Sequence, residues 1–400
     1  MSKVIIDENR IDEILNRGTI VEIFPSREEF VNKLLSGKRL KFYIGFDPTA
    51  PTLHLSHAKN FMLMEKFRKL GHEIIILFGD FTARIGDPTA ESSTRRQLSR
   101  EDVVSNVKKW KQLVKPLMDF ENKENPPRIM YNHSWLSKLS LEDLIDLASN
   151  FTVQQMIERD MFQKRLQKKK PIYLHEFLYP LMQGYDSVAM NVDVEVCGTD
   201  QIFNALAGRT LLKKLKNKEK HVVAVTLMEN PKTGELMSKS KGTGVFLDVS
   251  PNDMYGQIMA QPDEMIEILL INNTLLSLKE IKEIKKLSPR DAKARLAREI
   301  VTIYHGKAVA SDAEKEFNRV FKEHEVPSRI STFKLKTAKI NILDLLVRTK
   351  LAPSKSEAKR LVEQKGVKID KDIVDDWKKE IVIEKGMILQ VGKRKFLKLI

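Results

Sequence analysis

Short apolar runs alternating with helical stretches constrain this chain more than any other feature of its sequence. KFYIGF (41–46) has the aromatic and β-branched content of a strand, and EIIILF (73–78) is a continuous apolar run. RIMY (128–131), VDVEVC (192–197) and HVVAVTL (221–227) read as strands too. Between the first two, Leu55, Ala58, Met62, Leu63, Phe67 and Leu70 fall at helical spacing, and the run stops at Gly71. Ser99 caps a second helix through VVSNVKKWKQLV. Helical patterns follow from Leu141 to about Lys168 and from His175 to about Met190, and another begins near Asp200. Strands that alternate with helices imply an α/β fold with a parallel sheet covered on both faces. From Asn252 to about His324 the pattern is almost wholly helical, and VPSRISTFKLKTAK (326–339) reads as a polar linker into a basic tail.

At 400 residues the chain is long enough for two or three domains. No apolar run approaches the roughly 18 residues of a membrane span, and MSKVIIDENR lacks the apolar stretch of a signal peptide. The single cysteine, Cys197, excludes an internal disulfide, fits a reducing cytoplasm, and has no evident activating base. The net charge of +15 points to a polyanionic partner. Residues 331–400 hold 18 Lys and Arg against 9 Asp and Glu, a net +9, which marks them as a candidate nucleic-acid module.

Two loops carry the chemistry. DPTAPTLHLSH (47–57) follows the first of these strands and opens the next helix, so His54 and His57 stand where free N–H groups attract anions. A zinc site needs further ligands, and the chain has no C-x-x-C or H-E-x-x-H run. From the spacing alone, a phosphate site and two half-exposed histidines at a helix start both remain open. GELMSKSKGTG (234–244) places two lysines and two serines between glycines after a late strand. Hydroxyls and ammonium groups bind phosphate, although charged loops are also common as plain surface. Neither a Walker A pattern nor G-x-G-x-x-G occurs.

Together, HLSH and MSKS resemble the HIGH and KMSKS motifs of the class I aminoacyl-tRNA synthetases. GFDPTAPTLHLSH, IGDPT, YPLMQGYD and GTDQ extend the resemblance to the bacterial tyrosyl-tRNA synthetases, over nearly the whole chain. NILDLLVRTKLAPSKSEAKRLVEQKGVKI is similar to an RNA-binding fold first known from a ribosomal small-subunit protein. The resemblance implies a Rossmann-like nucleotide-binding catalytic domain over 1–248, an α-helical anticodon-recognition domain over 249–328, and a small α+β RNA-binding domain over 329–400. It also implies a cytoplasmic homodimer that joins L-tyrosine to tyrosine tRNA using ATP with Mg2+.

By the same resemblance, Thr49, His54, His57 and Lys239 are catalytic groups on the ATP phosphates. Gly45, Asp47, Gly198, Asp200, Gln201, Met237, Ser238 and Ser240 join the two histidines and Lys239 around ATP and the adenylate. Tyr43 and Asp186 match the pair that bonds the substrate phenol, and Asp87, Tyr179 and Gln183 match groups that hold its ammonium. Residues 179, 183 and 186 are spaced by four and three, so one helix face presents all three. No dedicated metal site is implied. Two positions depart from the pattern: Ser56 stands where the family usually has Gly, and Leu236 where it has Lys. Three rival readings are a non-catalytic RNA-binding relic of the fold, another nucleotidyltransferase with an H-x-x-H motif, and the related tryptophanyl enzyme.

Overall fold

A computed structural model describes residues 3–86, 99–237, 243–321, 330–335, 337–392 and 395–400. The chain divides into two compact units, Met1–Ala310 and Ser311–Ile400.

The first unit is built on a six-stranded sheet of β1 (Ile20–Phe24), β2 (Lys41–Phe46), β3 (Glu73–Phe78), β4 (Arg128–Tyr131), β5 (Val194–Gly198) and β6 (His221–Val225). Their order is β1-β6-β5-β2-β3-β4. The five strands expected from the sequence pair in parallel, β6-β5-β2-β3-β4. β3 and β6 are buried almost throughout, as strands covered on both faces must be. β1 was not foreseen. It pairs antiparallel along the free edge of β6, with an irregularity between Ile20 and Glu22. Its mixed burial carries too little apolar signal to mark a strand.

The helix over Leu55–Lys69 follows β2 as expected, and Leu174–Met190 ends at Asn191 in the left-handed region, φ 50°. The helical stretch from Leu141 to Lys168 is three short helices, Leu141–Ala148, Val153–Ile157 and Asp160–Gln167. The Thr152 side chain accepts from the Gln155 N–H and starts the second of these afresh. The stretch from Asn252 likewise divides into Pro251–Met259, Met265–Asn273, Leu278–Ile284, Pro289–His305 and Lys307–Phe321, the last of which runs across the division between units. Arg17 fastens this region to the amino-terminal segment. Its guanidinium donates to the carbonyls of Ile271, Thr274 and Leu276, each at 2.8 Å. Asn273 Nδ2 reaches the Leu55 carbonyl at 2.9 Å, at the start of the HLSH helix.

In the second unit, a five-stranded sheet and a two-stranded sheet flank the helices Ile342–Arg348 and Lys355–Glu363. Its core is apolar, with Ile342, Leu345, Leu346, Ala358, Val362, Val367, Leu389 and Leu399 fully buried. Part of the stretch read as a linker is structured: Ser331–Phe333 pairs in parallel with Lys395–Leu399, and Lys339–Asn341 pairs with Glu380–Val382. Polar composition hid these strands because only Ile340 of the second one is buried.

Helix Ile202–Lys216 packs tightly on Leu174–Met190. A Cβ added at Gly184 would stand 2.9 Å from Leu211 Cδ1 and 3.2 Å from the Gly208 nitrogen, so the close approach requires glycine. Gly184→Val is expected to destabilise the fold by about 1–3 kcal/mol, the usual cost of overpacking. The measurement is the urea-unfolding midpoint, and an unchanged midpoint would show that the two helices can part freely.

Candidate active site

In the sheet order, the chain runs from β2 to β3 and β4 on one side, then returns to β5 on the other. The crevice beyond the carboxyl ends of β2 and β5 is therefore the topological switch point, where open α/β sheets bind ligands. A cavity of about 330 Å³ opens there. Tyr43, Gly45, Asp47, His57, Tyr179, Gln183, Asp186, Gly198, Asp200 and Gln201 all line it, as does Ser56. A larger hollow of about 430 Å³, lined in part by Lys66, Lys69, Lys111 and Lys115, contains none of the motif residues. Chemistry and topology favour the smaller cavity.

At its inner end, buried Tyr43 on β2 lies 2.9 Å from Ser187 Oγ. Burial, and next the neighbouring Glu195, push the Tyr43 phenol well above its ordinary range, so it keeps its proton. Asp186 is held by Trp135 Nε1 at 2.7 Å and Asn132 Nδ2 at 3.3 Å. Burial raises its carboxyl well above the usual range, against the pull of those two donors. Gln183 donates to Glu195 at 3.2 Å, and Glu195 is ion-paired to buried Lys220. Leu77, Ile75, Met190 and Val192 pack on Tyr43 as an apolar wall. Asn132, Trp135, Ser187, Glu195 and Lys220 escaped the sequence reading. They come from the short helix after β4, the helix Leu174–Met190, β5 and the approach to β6, and share no local motif.

Nearer the mouth, the Asp47 carboxylate accepts from Tyr179 OH at 2.9 Å and from Thr82 Oγ1 at 2.7 Å. Gly79 makes room for this: a Cβ there would fall 2.0 Å from Asp47 Oδ1 and 2.1 Å from Thr82 Oγ1. The turn beyond Asp47 is held by Asn106 Nδ2 on the Pro48 carbonyl at 2.9 Å and Trp110 Nε1 on the Ala50 carbonyl at 2.7 Å. Thr49, on that turn, is exposed and does not line the cavity. Asp200 and Gln201 follow β5 in a short 3₁₀ turn, where Asn204 Nδ2 fixes Gln201 Oε1 at 2.7 Å. Cys197 also borders the cavity, and burial pushes its thiol up, away from the thiolate form. Lys59, which the sequence reading passed over, lines the cavity as well. Burial pulls its ammonium down to about 7, opposed by Asp200 and Cys197.

His54 caps the helix Leu55–Lys69, and its ring centroid lies 4.2 Å from that of His57. Burial lowers His54 to about 4 and His57 to about 3, so both are neutral at pH 7. The His54 backbone N–H approaches His57 Nδ1 at 3.5 Å, which leaves Nε2 of that ring to carry the proton. The pair therefore offers N–H donors rather than positive charge. His54 does not line the cavity and forms a β-bridge with Phe246. On either side of that bridge, Leu55 N–H donates to the Val245 carbonyl at 3.0 Å and Leu247 N–H to Leu53 at 2.9 Å. At the other end of the MSKS segment, buried Met237 donates its N–H to the Met228 carbonyl at 2.8 Å, while Leu236 is 47% exposed. Residues 245–247 thus lie beside the start of the HLSH helix. Asp87, Ser238, Lys239, Ser240 and Lys241 lie outside the described residues.

The family model described as "tRNA synthetases class I (W and Y)" matches residues 35–322, in agreement with a parallel sheet that carries HLSH after β2. A second model, for the SYY-like C-terminal domain of tyrosine–tRNA ligase, matches residues 316–399. The tyrosine–tRNA ligase of Moorella thermoacetica is 42% identical over 395 residues, covering 96% of this chain and 94% of its own length. That of Thermotoga maritima is 38% identical, covering 97% and 96%. Among solved structures, the C-terminally truncated mitochondrial tyrosyl-tRNA synthetase of Coccidioides posadasii superposes with a TM-score of 0.61 at 26% identity, over 77% of this chain and 92% of that one. The corresponding Aspergillus nidulans structure reaches 0.66 at 24% identity, over 79% and 95%, a likeness of fold. The chain belongs to the tyrosine–tRNA ligase family, within the class I tRNA synthetases.

The depressed values for the two histidines predict that neither titrates near 6.5. Followed by NMR from pH 7.5 to pH 5, both imidazoles are expected to stay neutral. A midpoint near 6.5 for either ring would show it solvated and able to act as a cation.

Proposed function

We infer that the chain activates L-tyrosine with ATP and transfers the tyrosyl group to the 3′ end of tyrosine tRNA. The observation that carries this reading is the cavity at the switch point. It brings Tyr43 and Asp186 together with Ser56 and His57, at the start of the HLSH helix, in one lining. In the first step a carboxylate oxygen of tyrosine attacks the α-phosphorus of ATP, and the bond to the departing pyrophosphate breaks. In the second, a ribose hydroxyl of the tRNA attacks the tyrosyl carbonyl, and AMP leaves. Neither step needs an enzyme nucleophile, so the protein contributes position and charge stabilisation.

In this reading the substrate phenol lies against Tyr43 and Asp186, and Asp87, Tyr179 and Gln183 surround its ammonium. Gly45, Asp47, Gly198, Asp200 and Gln201 face the ATP and adenylate, with Met237, Ser238 and Ser240 on the second loop. The neutral His54 and His57, together with Thr49 and Lys239, act on the phosphates. Lys239 supplies the positive charge that the neutral histidines lack. Losing one well-placed donor of this kind typically costs about 10²–10³ in rate. Magnesium enters with ATP as part of the substrate. We further propose a cytoplasmic homodimer, with catalytic residues over 1–248 and anticodon recognition over 249–328. Among the described residues no helix is long and apolar enough to cross a membrane.

ATP–pyrophosphate exchange, run with each aromatic amino acid in turn, tests the function directly. Tyrosine alone is expected to support it at low concentration, whereas a preference for tryptophan would transfer the chain to the sister enzyme. Within the same assay, Asp186→Ala should greatly lower tyrosine-dependent exchange and narrow the preference over phenylalanine, because a buried partner of the hydroxyl is lost. Unchanged tyrosine kinetics in a folded variant would sink the pocket assignment.

Residues 329–400 form the proposed tRNA-binding module. Its helices Ile342–Arg348 and Lys355–Glu363 adjoin exposed Arg348, Lys350 and Lys365, and the segment holds most of the chain's positive excess. Phosphate contacts dominate RNA affinity and weaken with salt. A chain of residues 1–330 should therefore retain exchange at nearly the full rate. Its charging of tyrosine tRNA should fall sharply, with a shallower salt dependence. Undiminished charging, measured on the same sample after circular dichroism, would show that the tail is not the RNA module.

A further inference from the structure

Beneath the tyrosine pocket lies a buried cation that the activation chemistry does not use. Lys220, just before β6, is fully buried, and its Nζ donates to Ser187 Oγ at 2.8 Å and to Glu195 Oε2. Glu195 of β5 is paired in register with Tyr43 of β2 on one side and Val222 of β6 on the other. Ser187 follows Asp186 on the helix Leu174–Met190. Space for the cluster exists because position 208 is glycine: a Cβ there would fall 2.6 Å from Lys220 Nζ and 2.8 Å from Ser187 Oγ.

The donor and acceptor inventory gives this cluster a direction. An ammonium only donates and a carboxylate only accepts. Ser187 Oγ therefore accepts from Lys220 and has one proton to give. Tyr43 oxygen is 2.9 Å away and Glu195 Oε2 is 3.4 Å away, with Glu195 already receiving Lys220 on that oxygen and Gln183 on the other. The shorter path sends the serine proton to Tyr43, so the Tyr43 proton has two acceptors left, the neighbouring Glu195 and a group in the cavity.

We propose that Lys220 and Ser187 are specificity-determining positioning residues, which orient a hydrogen-bond chain running Lys220, Ser187, Tyr43, substrate phenol, Asp186. With that polarity, Tyr43 donates to the phenol oxygen and the phenol donates to Asp186, so both bonds form. With the reverse polarity, Tyr43 spends its proton on Ser187. Tyr43 and Asp186 then compete for the single phenolic proton, and one bond is lost. Phenylalanine has no hydroxyl and is indifferent to the direction. The proposal rests on the reading of this cavity as the tyrosine site.

The test uses the full chain and ATP–pyrophosphate exchange with tyrosine and with phenylalanine. Ser187→Ala keeps the ion pair and removes the donor that fills the Tyr43 oxygen, so Tyr43 is free to turn its proton to Glu195. The kcat/KM for tyrosine is then expected to fall about tenfold, the size of one hydrogen bond, mainly through KM. The tyrosine-to-phenylalanine ratio should fall by the same factor. Because Lys220→Met alone would strand a buried carboxylate and risk unfolding, the companion variant is Lys220→Met with Glu195→Gln. It should show a similar loss of ratio, and adding Ser187→Ala to it should cost little more, since the chain is already broken. Parallel losses for both amino acids, an unchanged ratio in Ser187→Ala, or full additivity in the triple variant would overturn the proposal. Exchange by the unaltered chain that ignores tyrosine would instead overturn the functional reading, and this one with it.

Discussion

Phe42 of β2 pairs with Val194 of β5, and Tyr43 pairs with Glu195; this parallel pairing organises the chemistry of the first unit. It separates the strands that run outward to β4 from those that run outward to β1, and so sets the switch point at which the crevice opens. Asp47 leaves the end of one strand, Asp200 leaves the end of the other, and Leu174–Met190 closes the side with Tyr179, Gln183 and Asp186. The close packing of that helix on Ile202–Lys216, through Gly184 and Gly208, then keeps its polar face turned to the crevice.

Such a site places polar groups where water is scarce, and the structure meets that cost with partners. Tyr43, Ser187, Glu195 and Lys220 satisfy one another below the cavity, while Trp135 and Asn132 hold Asp186. Breaking one member of a buried ion pair leaves an uncompensated charge, which is why a lysine and a glutamate can persist there only together. The histidines illustrate the opposite response. With no carboxylate among the causes of their shifts, burial discharges both rings. The pair then brings N–H donors and no positive charge to the start of that helix.

Much of this could be read from the chain alone. The five parallel strands, the helices after β2 and before β5, and the two signature loops all rest on local pattern. So do Tyr179, Gln183 and Asp186 on one helical face, because helix periodicity reports which residues share a side. β1 was missed because a short edge strand with mixed burial has no clear period. The three helices between Leu141 and Gln167 merged into one for a related reason: apolar spacing continues through a capping threonine without showing the break. Trp110 and Asn106, which brace the turn after Asp47, lie on a helix whose sequence signals only its own amphipathicity.

The sequence by itself determined the fold class, the order of the elements, the family, and which residue types stand at the two signature loops. These follow from local periodicity and from short motifs whose spacing survives in one dimension. Only the tertiary structure decided which strand lies beside which, and therefore that Glu195 and Lys220 meet under Tyr43. It alone showed that the HLSH histidines are neutral, and that Thr49 stands exposed outside the cavity. The physical reason is that burial, hydrogen-bond direction and protonation are properties of a neighbourhood. Here that neighbourhood is assembled from β2, β5, β6 and two helices that are far apart along the chain.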